Sequence, residues 1–262
     1  AIHGAAFRRS GLDWIYLGWP VPPERLSDAI LGLRALGAMG ANVTIPHKET
    51  VVPLIDELSG DARAVGAVNT IQVVGDKMIG HNTDVDGFRE FVVGDAGVTI
   101  GGCSILVLGA GGAARAVVAA AADLGAHEIV VASRRAEQGH DVIRLVPTGA
   151  ARSEAWDRVD ELVAEADVVV NATPLADPVP GATWKSGQVA IDLVYHPPIT
   201  PFMEGARRDG ALAWGGLGML IRQAAASFRI WTGQDPPLGV MSAAALHAIG
   251  SSGSTRPPPL PT

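Results

Sequence analysis

Two rhythms of apolar and polar positions alternate along this chain. Short continuous apolar runs, such as Ile105-Leu106-Val107-Leu108, are separated by longer stretches in which apolar residues return every three or four positions. The first rhythm is that of strands buried on both faces and the second that of helices, so the alternation predicts an α/β protein with mostly parallel strands. Near the start, residues 14–19 are predicted to form a strand and 22–36 a helix with Leu26, Ile30, Leu33 and Leu36 on one side. Residues 41–45 make the next predicted strand, stopped by Pro46, and Pro53 divides helical segments on either side of it. Residues 69–74 and 78–81 read as a hairpin about a Gly75-Asp76 turn. From Ser104 onward a strand over 105–108, a glycine-rich turn, a small-residue helix over 115–124 and a strand over 128–132 form one unit. Residues 167–171 and 189–193 supply two further strands of the same buried type. Helices are predicted over 219–231 and 240–249, and the Ser/Gly/Pro-rich residues 251–262 as a disordered tail.

Composition narrows the function classes. The 262 residues lie between one large domain and two ordinary ones, and 48% hydrophobic with 18% charged residues implies a sizeable core. A net charge of −7 with scattered basic residues argues against nucleic acid, whose binders need a concentrated positive face. The single cysteine, Cys103, excludes an internal disulfide and any multi-cysteine metal site, and it fits a reducing, cytoplasmic setting. No apolar run reaches the roughly 20 residues that cross a bilayer, so neither a membrane role nor a metal centre is expected.

The chemistry lies in four places. Gly109-x-Gly111-x-x-Ala114 follows a predicted strand and opens a helix, the context a dinucleotide fingerprint requires. Its first glycine permits the tight turn, its second lets the backbone approach a pyrophosphate, and the small third position lets helix and strand pack closely. At the end of the next strand stand Ser133, Arg134 and Arg135 rather than an acidic residue. Two guanidinium groups suit a ribose 2′-phosphate, which favours NADP over NAD; a solvated basic loop is the alternative. Lys48 follows a strand ended by proline and precedes the polar clusters Gly66-Ala67-Val68-Asn69-Thr70 and His81-Asn82-Thr83-Asp84-Val85-Asp86-Gly87. Close to a predicted helix start, the macrodipole disfavours its ammonium and suits it to general acid–base work. Its neighbour His47 reads as a shape residue, because adjacent side chains in extended chain point opposite ways. Asp84 takes the functional role in this reading and Asp86 that of a helix cap. Thr44 and Asn69 are uncharged donors and acceptors for hydroxyl groups, with local turn bonding as their alternative.

Together these motifs resemble the shikimate dehydrogenase family over nearly the whole chain, from Ile2-His3-Gly4-Ala5-Ala6-Phe7 to about Ile249. Asn42-Val43-Thr44-Ile45-Pro46-His47-Lys48, the two polar clusters, the 109–114 turn, Asp192-Leu193-Val194-Tyr195 and Gly216-Leu217-Gly218-Met219-Leu220-Ile221-Arg222-Gln223 carry the resemblance by their order and spacing. It implies two domains: an N-terminal α/β substrate domain over 1–86, and a Rossmann-type NADP-binding domain over 87–219. Residues 220–250 would return to the first domain, with the active site in the cleft. It further implies reversible reduction of 3-dehydroshikimate to shikimate with NADPH. Lys48 and Asp84 would be catalytic, and Thr44, Asn69, Tyr195 and Gln223 would line the substrate pocket. Gly109, Ala110, Gly111, Gly112, Ala113, Ser133, Arg134, Arg135, Leu193, Gly216 and Met219 would lie against the cofactor. A small molecule is then the partner, and the protein a monomer or homodimer.

Three departures from the family accompany the match. Members carry, ahead of the region matching 2–7, a first strand and a Ser-x-Ser pair that holds the substrate carboxylate; this sequence shows neither at that place. Either chain continues ahead of Ala1 or the hold on substrate is impaired, each lost charge-assisted bond costing about 1.5–3 kcal/mol. Ser133 stands where the family has asparagine, and residues 171–176 lack a glycine-containing continuation; both bear on NADP contacts rather than on the reaction. A quinate or broader-specificity dehydrogenase and a catalytically impaired NADP-binding paralogue are the competing expectations.

Overall fold

Strand pairing divides the chain between a four-stranded and a six-stranded sheet in the computed structural model, which describes residues 1–147 and 149–251. The first sheet is built from β1 (Gly40–Asn42), β2 (Glu57–Leu58), β3 (Thr70–Val74) and β4 (Lys77–His81), in the order β1-β3-β4-β2. β3 and β4 form the antiparallel hairpin that the Gly75-Asp76 turn predicts. Interspersed with these strands in the chain are α1 (Ile2–Arg9), α2 (Leu26–Ala35), α3 (Gly60–Val65) and α4 (Thr83–Glu90). Leu26, Ile30 and Leu33 of α2 close over Val43, Val51, Ile71 and Met78 to make its core.

The second sheet contains β5 (Ser104–Leu108), β6 (Glu128–Ser133), β7 (Ala151–Ala155), β8 (Val168–Asn171), β9 (Val189–Asp192) and β10 (Leu212–Trp214). Its order is β10-β9-β8-β5-β6-β7 and every pair is parallel. The interleaved helices are α5 (Gly112–Asp123), α6 (Ala136–Ile143), α7 (Val159–Glu165) and α8 (Pro201–Arg208). The apolar runs are continuous because successive side chains enter different cores: Ile105, Val107, Ile129 and Val131 face one layer, and Leu106, Leu108, Val130 and Ala132 the other. Strand order reverses between β5 and β8, which opens a crevice at their carboxyl ends.

Two helices, α9 (Leu217–Thr232) and α10 (Leu238–Ser251), complete the chain. α9 returns to the first sheet, where Trp231 Nε1 donates to the Ile71 carbonyl at 2.9 Å and Gln72 Nε2 donates to that of Ile230 at 2.8 Å. Phe7 of α1, Phe228 of α9 and Met241 of α10 share one core, as expected of C-terminal helices packing back on the first domain. The expected seams at 86/87 and 219/220 fall inside α4 and α9, so continuous helices carry the chain between the two sheets.

Several elements differ from expectation. Residues 14–19 pair with no strand among the described residues; Ile15 and Trp19 are 82% and 60% exposed. They line a groove of about 660 Å³ that Gly40, Ala41 and Asn42 of β1 also line. Apolar pattern alone does not make a strand without a neighbouring edge to bond. The helix expected over 22–36 opens with a 3-10 turn, Pro23–Arg25, and Leu36 lies past its end, 76% exposed. The strand expected over 41–45 is limited to Gly40–Asn42, the residues paired with Thr70, Ile71 and Gln72. No α-helix flanks Pro53, which instead sits inside the 3-10 turn Val52–Leu54. Helix α1 and the short or polar strands β2, β7 and β10 carry too little apolar period to be read in advance. Ser251 ends α10, and the rest of the expected tail lies outside the described residues.

His3 in α1 couples this packing to pH. It is 5% exposed, its ring 4.6 Å from that of Tyr16 and 5.0 Å from that of Trp231, and its Nδ1 has no hydrogen-bond partner among the described residues. Burial pulls it from the ordinary 6.5 down to about 4, partly opposed by a hydrogen bond with the Asn42 side chain. The unfolded chain therefore binds a proton that the folded chain refuses between those two values, and stability falls as pH drops through that window. The loss attributable to His3 reaches up to about 3 kcal/mol near pH 4. Urea unfolding at pH 7 and pH 4.5 should show a smaller acid loss in His3→Phe than in the parent; equal losses would remove His3 from the account.

Candidate active site

The start of α4 fixes the first charged group. The Asn82 side chain caps the helix, its Oδ1 accepting the Asp84 N–H at 3.1 Å, while its Nδ2 donates to the Ala67 carbonyl at 2.9 Å. Asp84 thus sits in the first helical turn and not in the loop before it. Its Oδ2 accepts from Lys48 Nζ at 2.6 Å, with the two side chains only 7% and 15% exposed. Its Oδ1 accepts from Asn69 Nδ2 at 2.8 Å. Asn69 is oriented in turn, because its Oδ1 receives the Thr83 N–H at 2.8 Å and the Thr70 hydroxyl at 3.1 Å.

Behind this trio lies a buried polar seam. Ser227 of α9 places its hydroxyl 2.8 Å from Thr70 Oγ1 and 3.2 Å from Thr83 Oγ1, and accepts from Asn42 Nδ2 at 3.1 Å. Gln223, one turn earlier on α9, brings Oε1 to 3.5 Å from Asn69 Nδ2. α9 can come this close because α4 has no side chain at Gly87, where a Cβ would stand 2.8 Å from the Cβ of Gln223. Thr44 is exposed on the neighbouring turn and His47 is buried, its Nε2 2.8 Å from the Val21 carbonyl oxygen, as a shape residue should be.

The nucleotide side meets this trio at Lys48. Gly109 follows β5 with φ +104°, and a Cβ there would press on Thr173 and the Ala172 backbone across the switch between β5 and β8. Gly111 caps α5 with open space around it, and Ala114 is fully buried beneath the turn. Gly112 has a different neighbour. A Cβ on it would lie 3.1 Å from Lys48 Cδ and 3.3 Å from Lys48 Cβ, so the lysine stem rests on the first residue of α5. The helix start beside Lys48 is therefore that of α5; its own segment continues as turns into the Val52–Leu54 3-10 turn.

Three family models match in chain order: the shikimate dehydrogenase substrate binding domain over residues 1–71, shikimate / quinate 5-dehydrogenase over 95–186, and the shikimate 5′-dehydrogenase C-terminal domain over 216–246. A curated relative from Archaeoglobus fulgidus, shikimate dehydrogenase (NADP(+)), is 41% identical over 257 residues, covering 95% of this chain and 93% of its own. The chain belongs to the shikimate dehydrogenase family. Among solved structures of the family, a shikimate dehydrogenase in complex with NADP+ matches with a TM-score of 0.85 and 36% identity, over 95% of this chain and 90% of that one. The Thermus thermophilus enzyme in complex with NADP(H) and shikimate matches with a TM-score of 0.80 and 33% identity, over 94% and 93%.

Within this family member the remaining candidate residues are placed as follows. Arg134 and Arg135 are exposed after β6 and form no ion pair among the described residues, leaving both guanidinium groups available to an anion. Ser133 is buried and its hydroxyl donates to the Arg135 carbonyl at 2.8 Å, so it shapes that loop. Gly216 caps α9 against Leu193, whose carbonyl oxygen would lie 2.3 Å from any Cβ there. Met219 is buried in the core shared with α5. Tyr195 is exposed on the loop after β9, with no hydrogen bond to Lys48, Asp84 or Asn69 among the described residues. Asp86 is not the cap: Asn82 is, and Asp86 pairs instead with Arg89 at 2.8 Å. Asn42, Thr70 and Thr83 stand in the motifs without a role of their own in the sequence reading, and Ser227 lies outside them. The register Asn42↔Thr70↔His81 places polar residues in one row across the sheet, and that row is the signal that could have exposed Asn42 and Thr70.

Proposed function

We propose that this family member is an NADP-dependent shikimate dehydrogenase, reversibly reducing 3-dehydroshikimate to shikimate, with Lys48 as the general acid–base residue and Asp84 as its partner. The observation that carries this reading is the Lys48–Asp84–Asn69 trio, whose Lys48 stem rests on Gly112, the first residue of the nucleotide helix. Bound NADPH supplies the hydride. Lys48 donates a proton to the ketone oxygen as negative charge gathers there, and in the reverse direction it takes the hydroxyl proton back. Asp84 holds Nζ in one place, and Asn69 holds Asp84, so the proton is delivered from a fixed position. Thr44, Gln223 and Tyr195 line the substrate pocket and supply further polar groups to the substrate.

The chain fits the cofactor that this chemistry requires. The turn Gly109-Ala110-Gly111-Gly112-Ala113 leaves backbone N–H groups at the start of α5, and Gly111 is open where a side chain would obstruct a pyrophosphate. Arg134 and Arg135 would grip a 2′-phosphate, with Leu193, Gly216 and Met219 on the other side of the crevice. The broader reading, a shikimate and quinate dehydrogenase, rests on the family model for the central residues 95–186. Steady-state rates on shikimate and quinate, each with NADP and with NAD, separate the two. The expected result is the highest kcat/KM for shikimate with NADP. Higher values for quinate with NAD would replace this assignment, and NADPH binding without turnover of either acid would mark an idle nucleotide binder.

A further inference from the structure

Arg115 lies in the first turn of α5, directly after the glycine-rich turn, yet it does not face the crevice. Its Nε donates to the Val65 carbonyl at 2.7 Å, the last residue of α3, and its guanidinium lies 3.1 Å from where Gly66 would carry a Cβ. It forms no ion pair among the described residues, so its charge is directed at the carbonyl end of α3. The segment held in this way is the one that builds the active site. Val68 N–H donates to the Lys48 carbonyl at 2.8 Å, Ala67 accepts from the cap residue Asn82, and Asn69 follows with its hold on Asp84. Gly112, three residues before Arg115, supports the Lys48 stem from the same helical turn.

We propose that Arg115 is a positioning residue that ties the phosphate-binding turn to residues 65–69. Through that tie, the cofactor's seat and the Lys48–Asn69–Asp84 trio keep a fixed offset. A bare helix cap would stabilise α3 and do nothing else. A tie between the two halves of the site makes two further demands. Loosening it must slow the chemical step more than it weakens either ligand, because an offset of about 1 Å between reacting groups costs on the order of 100-fold in rate. Seating the cofactor must also be felt in residues 60–70, which no cofactor atom needs to touch.

The kinetic part rests on the reaction proposed above; the exchange part does not. In Arg115→Met, which keeps the stem and removes the donors, kcat for shikimate oxidation should fall about tenfold or more. The NADPH Kd should stay within about twofold, since the phosphate-facing N–H groups are untouched. Arg115→Lys, which restores one donor, should recover part of kcat. In the parent protein, adding NADPH alone should slow amide hydrogen exchange in the peptide spanning 60–70. Unchanged kcat in Arg115→Met would overturn the proposal. So would an NADPH Kd that rises in step with the loss of kcat, which would make Arg115 a phosphate ligand. A methionine variant that does not fold leaves the exchange measurement to decide, and no added protection at 60–70 would then overturn it. Protection without turnover in the parent would sink the proposed reaction and leave the tie standing.

Discussion

Lys48→Ala is expected to lower kcat by about 10²–10⁴-fold, the usual weight of a positioned general acid or base. Without the ammonium, the oxygen that gains charge during reduction must take its proton from water, in a site where Lys48 and Asp84 are both largely buried. NADPH affinity should hardly move, because Lys48 touches the nucleotide helix only through its aliphatic stem on Gly112 and leaves the N–H groups of that turn alone. The substitution also strands Asp84 without its cation, and breaking a buried pair from one side destabilises by about 3–5 kcal/mol. The kinetic loss must therefore be measured at a temperature where the variant is shown to be folded. Added small primary amines should restore part of the rate if the missing group is a proton donor. A kcat within about threefold of the parent in the folded variant would withdraw Lys48 from the chemistry.

The two halves of the site differ in how far they could be read from the chain. The nucleotide unit was legible because its strands are buried on both faces: Ile105-Leu106-Val107-Leu108 has to be continuously apolar to feed two cores, and the turn after it needs a glycine at 109, where φ is +104°. Lys48, Asn69 and Asp84 were legible as polar residues at strand and helix ends, where a core has no use for them. Residues 14–19 misled because hydropathy records what avoids water and says nothing about which edge it bonds to. The seam of Asn42, Thr70, Thr83 and Ser227 was hidden for another reason. None has a partner within its own segment that would reveal its role, and Thr83 and Ser227 meet only after 144 positions of chain close on themselves. Gly112 shows the same limit. The fingerprint accounts for a glycine there through the cofactor, while the fold adds that Lys48 leans on it.

Asp84→Asn is expected to do more harm than the loss of one charge. Asp84 is flanked by donors on both oxygens, Lys48 Nζ at 2.6 Å on Oδ2 and Asn69 Nδ2 at 2.8 Å on Oδ1. An asparagine offers one oxygen and one NH₂ group, so whichever way it turns, a donor faces a donor. Lys48 has no acceptor with which to adapt. Asn69 cannot rotate to help, since its Oδ1 already holds the Thr83 N–H at 2.8 Å. The variant should lose about 3–5 kcal/mol of stability, as when one side of a buried pair is removed. Its kcat should fall by about 100-fold as Lys48 loses its fixed position. The specific test is to add Asn69→Asp to it. The carboxylate then stands at 69, still accepting from Thr83, and the amide at 84 can donate to it while offering its oxygen to Lys48. Every donor has an acceptor again, so the double variant should be more stable than the sum of the two single losses predicts, by a coupling of about 1–3 kcal/mol. Purely additive effects, or an Asp84→Asn variant as stable as the parent, would show that the donor pattern around Asp84 is not what holds this site in place.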